Sequence, residues 1–380
     1  MTHPGGHGKG GRPQAVDFKS APFLVIWEAT RSCGLACRHC RAKAILGRHS
    51  QELTTAEGKR IIEQTAEMKT PIFILSGGDP FNRPDLEELI RHGKDCGLRM
   101  GTIPAATEQL TKERVQACKA AGLDQMAFSL DGPTAALHDD FRRVAGSFAR
   151  TMEGVRFAHE AGVPVQINTC FFSENFKYLE EMVALVRSLD IVFWEVFFLI
   201  PTGRGAELKN MTAERFEQVF ARLWRLNKEE KFIIKVTDAQ HYRRFVIQKE
   251  AAEDKSEESM AERVRHILAR PRGVGGSMGM SPEAVNAGKG FAFVDHLGDV
   301  YPSGFLPLTA GSVRQTSLVE IYRNSKLFTE LRDPALLKGR CGACEFKRIC
   351  GGSRARAYAL TGDYLETDPC CAYIPNGWEE

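Results

Sequence analysis

The sequence predicts an α/β protein in which short strands and amphipathic helices alternate around a parallel sheet. Three observations support this prediction: six short apolar runs within the first 200 residues, helical spacing of apolar residues between those runs, and no repeat of any other kind. Six strands are too few to close an eight-stranded barrel, so a partial barrel or an open doubly wound sheet is expected. In both, ligands bind at the carboxyl ends of the strands.

The predicted strands are rich in β-branched and aromatic residues. In chain order they cover Phe23–Trp27, Ile72–Leu75, Leu98–Ile103, Met126–Leu130, Val163–Thr169 and Val192–Ile200. The helices between them are expected at Thr54–Met68, Pro84–Cys96, Thr111–Ala121, Ser147–Ala161 and Asn175–Leu189. Thr54 followed by Glu57 predicts a capping box at the start of the first helix.

The alternation ends after Gly205. Helices are expected at Met211–Asn227 and over the charge-dense Gln248–Arg270, followed by a glycine-rich loop at Pro271–Gly290. Phe291–Tyr301 predicts a hairpin that turns at Gly298. We therefore expect a disordered tail (1–20), a partial barrel (21–205), a helical and glycine-rich linker (206–285) and a cysteine-bearing domain (286–380).

Composition excludes several classes of function. The chain has 380 residues, of which 43% are hydrophobic and 26% charged, and its net charge is +3. A nearly neutral chain is not expected to coat nucleic acid or an anionic membrane. No apolar run approaches the roughly 20 residues of a membrane-spanning helix, and the amino terminus lacks the apolar stretch of a secretory signal. We expect a cytoplasmic enzyme that binds neither nucleic acid nor membrane.

Eleven cysteines in such a chain are more typical of metal ligands than of disulfides. Cys33, Cys37 and Cys40 follow the first predicted strand with the spacing C-x3-C-x2-C. Three thiolates can hold three corners of a cubane cluster and leave the fourth iron open. The alternative is a zinc site that adds His39 or His49. The spacing and the position at the sheet edge favour the cluster.

A second set of cysteines lies near the carboxyl terminus. It comprises Cys341, Cys344, Cys350 and the pair Cys370–Cys371. Four thiolates can hold either a structural zinc ion or a fully ligated iron–sulfur cluster, and the spacing alone favours zinc.

The first motif, Arg31–Cys40, resembles the cluster motif of the radical S-adenosylmethionine (SAM) enzymes. The resemblance implies a partial (β/α)6 barrel with a [4Fe–4S] cluster on Cys33, Cys37 and Cys40, and SAM bound to the open iron. It also implies reductive cleavage of SAM to a 5′-deoxyadenosyl radical, which abstracts a hydrogen atom from the substrate. The electron donor is expected to be of the flavodoxin or ferredoxin type.

Further segments are similar to cofactor-contacting segments of that family. Ser76–Pro80 resembles its GGE segment, and because Asp79 stands in place of Glu, a backbone contact is implied more strongly than a side-chain one. Ser129–Gly132 with Arg142 resembles a second segment, and two more candidates end the fifth and sixth predicted strands. The expected cofactor contacts are Gly77, Gly78, Asp79, Ser129, Asp131, Arg142, Asn168 and Arg204. Taken alone, the glycine pair would indicate a turn and Arg142 a surface ion pair.

The second cysteine set resembles the SPASM or twitch extension of the family, which binds auxiliary iron–sulfur clusters. The resemblance makes iron–sulfur the expected occupant and leaves Cys370 as a neighbour of the ligands. The expected ligands are Cys341, Cys344, Cys350 and Cys371. Members with two auxiliary clusters carry cysteines where this chain has Asn286 and Ser303. We therefore expect one auxiliary cluster and two [4Fe–4S] clusters in total.

Within the family, Cys350–Asp363 is most like the enzymes of alternative haem synthesis and of the nitrite-reductase haem pathway. The expected reaction is an oxidative modification or decarboxylation of a tetrapyrrole, with no catalytic residue assigned. Arg354 and Arg356 could pair with propionates, or could be surface arginines. One alternative is a maturase of ribosomal peptides, which often carries a leader-binding domain, whereas only a short segment precedes the first predicted strand. The second alternative is a non-catalytic iron–sulfur or zinc protein, and the Gly77–Gly78 segment argues against it.

Overall fold

The computed structural model describes residues 16–254, 258–260, 262–264 and 284–379. Seven strands lie side by side in chain order, and every neighbouring pair is parallel. They are β1 Leu24–Glu28, β2 Ile72–Ser76, β3 Arg99–Thr102, β4 Gln125–Ser129, β5 Val165–Phe171, β6 Phe193–Phe198 and β7 Ile233–Thr237. A doubly wound sheet reverses its strand order at a switch point, and this sheet does not. The partial barrel is therefore confirmed.

The sheet continues at the free side of β1 with strands from the end of the chain. β8 (Phe291–Val294) runs parallel to β1, with Leu24 opposite Phe291. The predicted hairpin is confirmed, because β9 (Asp299–Tyr301) returns antiparallel to β8 and Gly298 has a φ of +96° at the turn. β10 (Gly311–Ser312) completes the sheet.

Two predicted domain boundaries do not coincide with breaks in this sheet. β7 lies in the segment 206–285, which was expected to be only helical and glycine-rich, and it pairs with β6. β8 to β10 lie in the segment 286–380 and join the barrel through β1. The two segments of the chain thus share one hydrogen-bonded sheet.

Helices connect the strands and follow the sheet at the carboxyl terminus. They are α1 Thr55–Glu67, α2 Leu86–Asp95, α3 Lys112–Ala120, α4 Ala135–Arg142, α5 Ser147–Glu160, α6 Leu179–Arg187, α7 Ala213–Glu229, α8 Tyr242–Asp254, α9 Leu318–Asn324, α10 Lys326–Arg332, α11 Gly339–Ala343 and α12 Arg354–Thr361. The capping box of α1 is confirmed. α8 covers only the first part of the charge-dense helix predicted over Gln248–Arg270, and most of the remainder lies outside the described residues with the loop 271–283.

The core lies between the sheet and the helices. Trp27, Phe73 and Trp194 are fully buried on the helix side of the sheet. Gly58 lets α1 approach closely, because a β-carbon there would overlap the Trp27 ring. Residues 16–20 of the predicted tail are also ordered against the sheet, since Phe18 is buried and its carbonyl accepts a 2.8 Å hydrogen bond from Tyr322. Residues 1–15 lie outside the described chain. No helix in the described ranges is long and apolar enough to cross a membrane.

Candidate active site and cysteine sites

The loop after β1 brings Cys33, Cys37 and Cys40 to one cavity of about 240 Å³ at the carboxyl ends of the strands. Cys33 is anchored by a 2.9 Å hydrogen bond from its amide to the Ile45 carbonyl. Arg204 holds the far end, donating from its backbone amide to the Cys40 carbonyl (3.0 Å) and from Nε to the Cys37 carbonyl (2.8 Å). Burial raises the pKa of the Cys33 thiol to about 12. A metal bound there must therefore displace a tightly held proton.

The glycine pair after β2 packs directly against this cysteine loop. A β-carbon on Gly77 would collide with the Thr30 carbonyl, and one on Gly78 with the Ser32 carbonyl. The Gly78 amide donates a 2.7 Å hydrogen bond to Thr30, so the two loops are joined as well as close. Both glycines also line the cavity. The glycines therefore position the cysteine loop, which the sequence did not indicate.

Asp79 does not direct its side chain into the cavity. One carboxylate oxygen accepts hydrogen bonds from the amides of Phe81 (3.1 Å) and Ala105 (3.3 Å), and the other accepts from the Thr107 hydroxyl (2.6 Å). The side chain thus caps the short 3-10 helix Pro80–Asn82 and ties it to the loop after β3. This leaves the backbone of the Gly77–Gly78 segment as the part that faces the cavity.

Arg142 connects the first cysteine set to a buried carboxylate. It forms an ion pair with Asp131 and donates a 3.4 Å hydrogen bond to the sulfur of Cys37. Asp131 also accepts a 2.8 Å hydrogen bond from the Cys170 amide. Burial alone would raise the pKa of Asp131, but the Arg142 charge holds it below its usual value. The side chain of Arg142 is only 9% exposed, so a surface ion pair is the wrong interpretation.

Of the eight predicted cofactor contacts, six line this cavity: Gly77, Gly78, Ser129, Asp131, Arg142 and Asn168. Asp79 and Arg204 do not line it. His39 also lines the cavity, and its ring stacks on Phe141 with the centroids 4.7 Å apart. Burial lowers the pKa of His39 to about 4. Among the described residues, no three His, Cys, Asp or Glu side chains are grouped to hold a single metal ion.

A second cavity of about 250 Å³ fills the lumen of the barrel, and sequence reasoning missed it. Arg41, Ser76, Phe197 and Asp238 line both cavities, so the two adjoin. The strands β4 to β7 present polar side chains to the lumen, whereas packed barrels fill it with branched apolar residues. The available signal was the alternation of polar residues within those strands, at Gln125, Gln166, Asn168, Glu195, Lys235 and Thr237.

These side chains form one hydrogen-bonded network. Gln166 accepts from Gln125 (2.6 Å) and donates to Asn168 (2.7 Å) and to Glu195 (2.9 Å). Glu195 also accepts from the Thr237 hydroxyl (2.6 Å) and pairs with Lys235 at 2.9 Å. Lys235 therefore compensates the charge of Glu195. Gln166 and Thr237 help to fix its position.

Asp238 stands where the two cavities meet, directly after β7. It has a φ of +59°, a left-handed conformation that few residues other than glycine adopt without cost. Its backbone carbonyl accepts a 2.6 Å hydrogen bond from Arg356. Burial raises the pKa of its carboxyl group to about 7, against the lowering effect of Arg356. Outliers of this kind concentrate at functional sites.

The second cysteine set encloses a much smaller cavity, of about 30 Å³. Its walls include the four thiols of Cys341, Cys344, Cys350 and Cys371. Cys370 is absent from these walls, and its sulfur lies in the core, 3.9 Å from the Met211 carbonyl. Asn286 braces the set from outside, donating a 2.9 Å hydrogen bond to the Gly352 carbonyl.

Arg354 and Arg356 are neither free to pair with propionates nor surface arginines, because both side chains are buried and bound to the protein. Arg354 donates to the carbonyls of Tyr364 (2.9 Å) and Glu366 (2.7 Å) and lies 3.5 Å from the Cys341 sulfur. Arg356 pairs with Asp368 at 3.3 Å and donates to the Asp238 carbonyl. Arg356 thus joins the second cysteine region to the carboxyl end of β7.

Comparison with known proteins shows the family of this chain. The model of the Radical SAM superfamily matches residues 27–186. The AdoMet-dependent heme synthase of Methanosarcina barkeri is 40% identical over 360 residues, which cover 95% of this chain and 99% of that protein. The chain belongs to the radical SAM superfamily. The family predicted from the cysteine motif and its haem-pathway group are therefore confirmed, and members of this family bind SAM and a [4Fe–4S] cluster.

More distant relatives in the superfamily have different names. The pre-heme d1 synthase of Dinoroseobacter shibae is 28% identical, over 92% of this chain and 85% of that protein. The PqqA peptide cyclase of Rhodopseudomonas palustris is 30% identical, over 93% and 88%. The solved structure of Streptococcus suis SuiB bound to S-adenosylmethionine matches with a TM-score of 0.70 at 14% identity, covering 93% of this chain and 78% of that one. At this identity the match supports the fold alone.

Proposed function

We propose that this radical SAM enzyme acts on a propionate side chain of an iron porphyrin in an oxidative modification of the decarboxylation type. The observation that carries the proposal is the partly polar lumen that adjoins the cavity of the Cys33–Cys40 loop, in a chain 40% identical to an AdoMet-dependent heme synthase. The lumen lies beside the cofactor cavity and presents a cation, Arg243, and polar side chains to the polar groups of a substrate.

In this proposal Cys33, Cys37 and Cys40 hold the [4Fe–4S] cluster, and the cavity beside Gly77, Gly78, Ser129 and Asn168 receives SAM. Three thiols that face an open cavity fit a cluster with one iron free for a ligand. When bound, cluster and SAM together supply the 5′-deoxyadenosyl radical that abstracts a hydrogen atom. Arg142 orients Cys37, and the apolar residues Phe197, Leu199 and Ile200 exclude water from the cavity.

We further propose one auxiliary [4Fe–4S] cluster on Cys341, Cys344, Cys350 and Cys371. Four thiols around a small space fit a fully ligated cluster, and Asn286 and Ser303 provide no thiolates for another. The proposed electron donor is a cytoplasmic flavodoxin or ferredoxin.

The test is anaerobic reconstitution with iron and sulfide, followed by incubation with SAM, reductant and iron coproporphyrin III. Mass spectrometry should find a porphyrin lighter by one or two units of CO2 plus two hydrogens, together with 5′-deoxyadenosine. A parallel incubation with candidate ribosomal peptides tests the alternative, which the 30% identity to a PqqA peptide cyclase favours. A modified peptide and an unchanged porphyrin would contradict the porphyrin proposal. Loss of the porphyrin product without SAM is the control.

A further inference from the structure

The lumen of the barrel has two unlike walls. The strands β8, β1 and β2 contribute an apolar wall, and β4 to β7 contribute the polar network described above. The apolar wall consists of Leu24, Ile26, Ile72, Ile74, Phe291 and Phe293. A ligand that matches this space has a broad apolar face and polar groups at its edge.

Three cations line the lumen, and two of them are neutralised by the protein. Arg41 forms an ion pair with Glu28, and Lys235 forms one with Glu195. The third, Arg243, follows β7 on α8 and donates to the carbonyls of Ile349 (3.2 Å) and Val285 (2.5 Å). Within residues 16–254, 258–260, 262–264 and 284–379, no carboxylate forms an ion pair with Arg243.

No carboxylate compensates the charge of this guanidinium, and the acidic group that acts on it is the Cys350 thiol, which favours its charged form. The guanidinium has five N–H donors, and the two carbonyls leave some of them available. Neutral carbonyls do not compensate a cation taken out of water, and burial accordingly lowers the pKa of Arg243. The planar arrangement of its donors matches a carboxylate with two parallel hydrogen bonds. Arg243 is therefore available to a carboxylate, which the described residues do not supply.

We propose that Arg243 anchors a carboxylate of the substrate at the end of the lumen nearest the second cysteine set. Its partner Ile349 directly precedes Cys350, so the anchored carboxylate lies at the wall between the lumen and that set. The identity of the ligand as a porphyrin rests on the proposed function. In this arrangement the ring lies along the apolar wall and a propionate reaches Arg243, which makes Arg243 a specificity-determining residue.

The experiment compares two ligands and two variants of the cluster-loaded protein without SAM. Iron coproporphyrin III is titrated against its tetra-amide, in which every carboxylate is replaced by a neutral amide, and binding is followed by the Soret absorbance. Arg243→Gln is compared with Arg332→Gln. Arg332 is a matched control because it also donates to two backbone carbonyls, Tyr322 (2.7 Å) and Arg323 (2.8 Å), and does not line the lumen.

We expect Arg243→Gln to raise the Kd for the acid at least about tenfold, the lower end for a bidentate charged contact, and to leave the Kd for the amide within about twofold. Arg332→Gln should leave both unchanged. Equal weakening of both ligands, or no weakening of either, would overturn the anchor. Arg243→Lys is the second variant, for the case that the glutamine variant loses its clusters. It retains the positive charge, so it should bind the acid more weakly than the wild type does but still more tightly than it binds the amide. Equal binding of acid and amide is expected only when the charge is removed.

The two proposals fail in different ways. A wild-type protein that binds neither porphyrin would contradict the proposed function, and the anchor with it. A wild-type protein that binds acid and amide equally, and converts the acid, would contradict the anchor alone.

Discussion

The two cysteine regions differ in how much space they enclose. The three thiols of the Cys33–Cys40 loop face about 240 Å³ that adjoins the lumen, whereas the four thiols of the second set line about 30 Å³. The first set has three thiols and the second has four. The difference indicates room for a further ligand beside the first set and no comparable room beside the second.

The two regions also differ in how they are held. The first loop depends on distant segments, because Gly77 and Gly78 press against it from β2 and Arg204 clamps it from the segment after β6. The second set is held by nearby chain, through Arg354 and the loop 364–368, and also by Asn286 from a distant segment. A change at the end of β2 should therefore disturb the first region more than the second.

The strongest test of this contrast is Cys37→Ala. Loss of one of three thiolates leaves a second iron without a protein ligand, so 5′-deoxyadenosine formation should fall by more than the roughly 10–100-fold typical of outer-shell changes. The measurement is product formation per chain under reducing, anaerobic conditions. Unchanged turnover would remove this loop from the cofactor site.

The adjacent cysteines of the second region provide the next test. Cys371→Ala should lower iron and sulfide from about eight to about four per chain, because one of two cubane clusters is lost. Cys370→Ala is the matched control and should retain about eight, since its sulfur lies in the core. The reverse result would reassign the ligand, and stoichiometric zinc in the wild type would support the zinc alternative.

Asp238, which lies between the two regions, should make stability depend on pH. Its native pKa of about 7 exceeds the value of 3.8 for a free carboxyl group, so the wild type loses stability as pH rises from about 4 to about 7. Asp238→Asn removes this loss. The free energy of unfolding of this variant should exceed that of the wild type by an amount that grows over that interval to at most about 4 kcal/mol and stays constant above pH 7. Anaerobic denaturant titrations of both proteins at pH 5.5 and 8 measure this difference in the free energy of unfolding. An equal difference at the two pH values would contradict the raised pKa of Asp238.

The smallest effect is expected from a single methyl group at the first loop. Gly78→Ala should displace the Ser32 carbonyl and destabilise the protein by about 1–3 kcal/mol. Iron at the first site and SAM binding should fall together, because the glycine touches the cysteine loop itself. Gly34→Ala, on the same loop, is the control, since its β-carbon meets only an ordinary 3.4 Å contact with Thr107. Loss of SAM binding with the iron retained would mean that the loops move independently.

The alternation of strands and helices was predictable as far as the strands are apolar. β7 was missed because Lys235 and Thr237 face a polar lumen, which interrupts the apolar run expected of a buried parallel strand. α4 was missed because it is only eight residues long and carries charges through its second half. β5 and β6 also face the cavities, and they were predicted because their apolar runs are longer.

The candidate site was predictable where spacing carries the chemistry, as in the two cysteine sets. The functions of arginines were not, because an arginine in a sequence reveals its charge and not its acceptors. Arg354 and Arg356 find backbone carbonyls and a buried carboxylate that only the tertiary fold brings near. Asp238 and Arg243 lie outside any motif, and their environment is created by strands far apart in the chain.

The pairing of β1 with β8 affects how the protein is made. Leu24 lies opposite Phe291, which the ribosome adds 267 residues later. At about 5–20 residues per second, roughly 13 to 53 seconds pass between the two events. During that time one edge of β1 has no partner, and an unpaired strand edge is a template for aggregation. That edge of β1 is thus protected by the protein's own fold only after the carboxyl-terminal hairpin has been made.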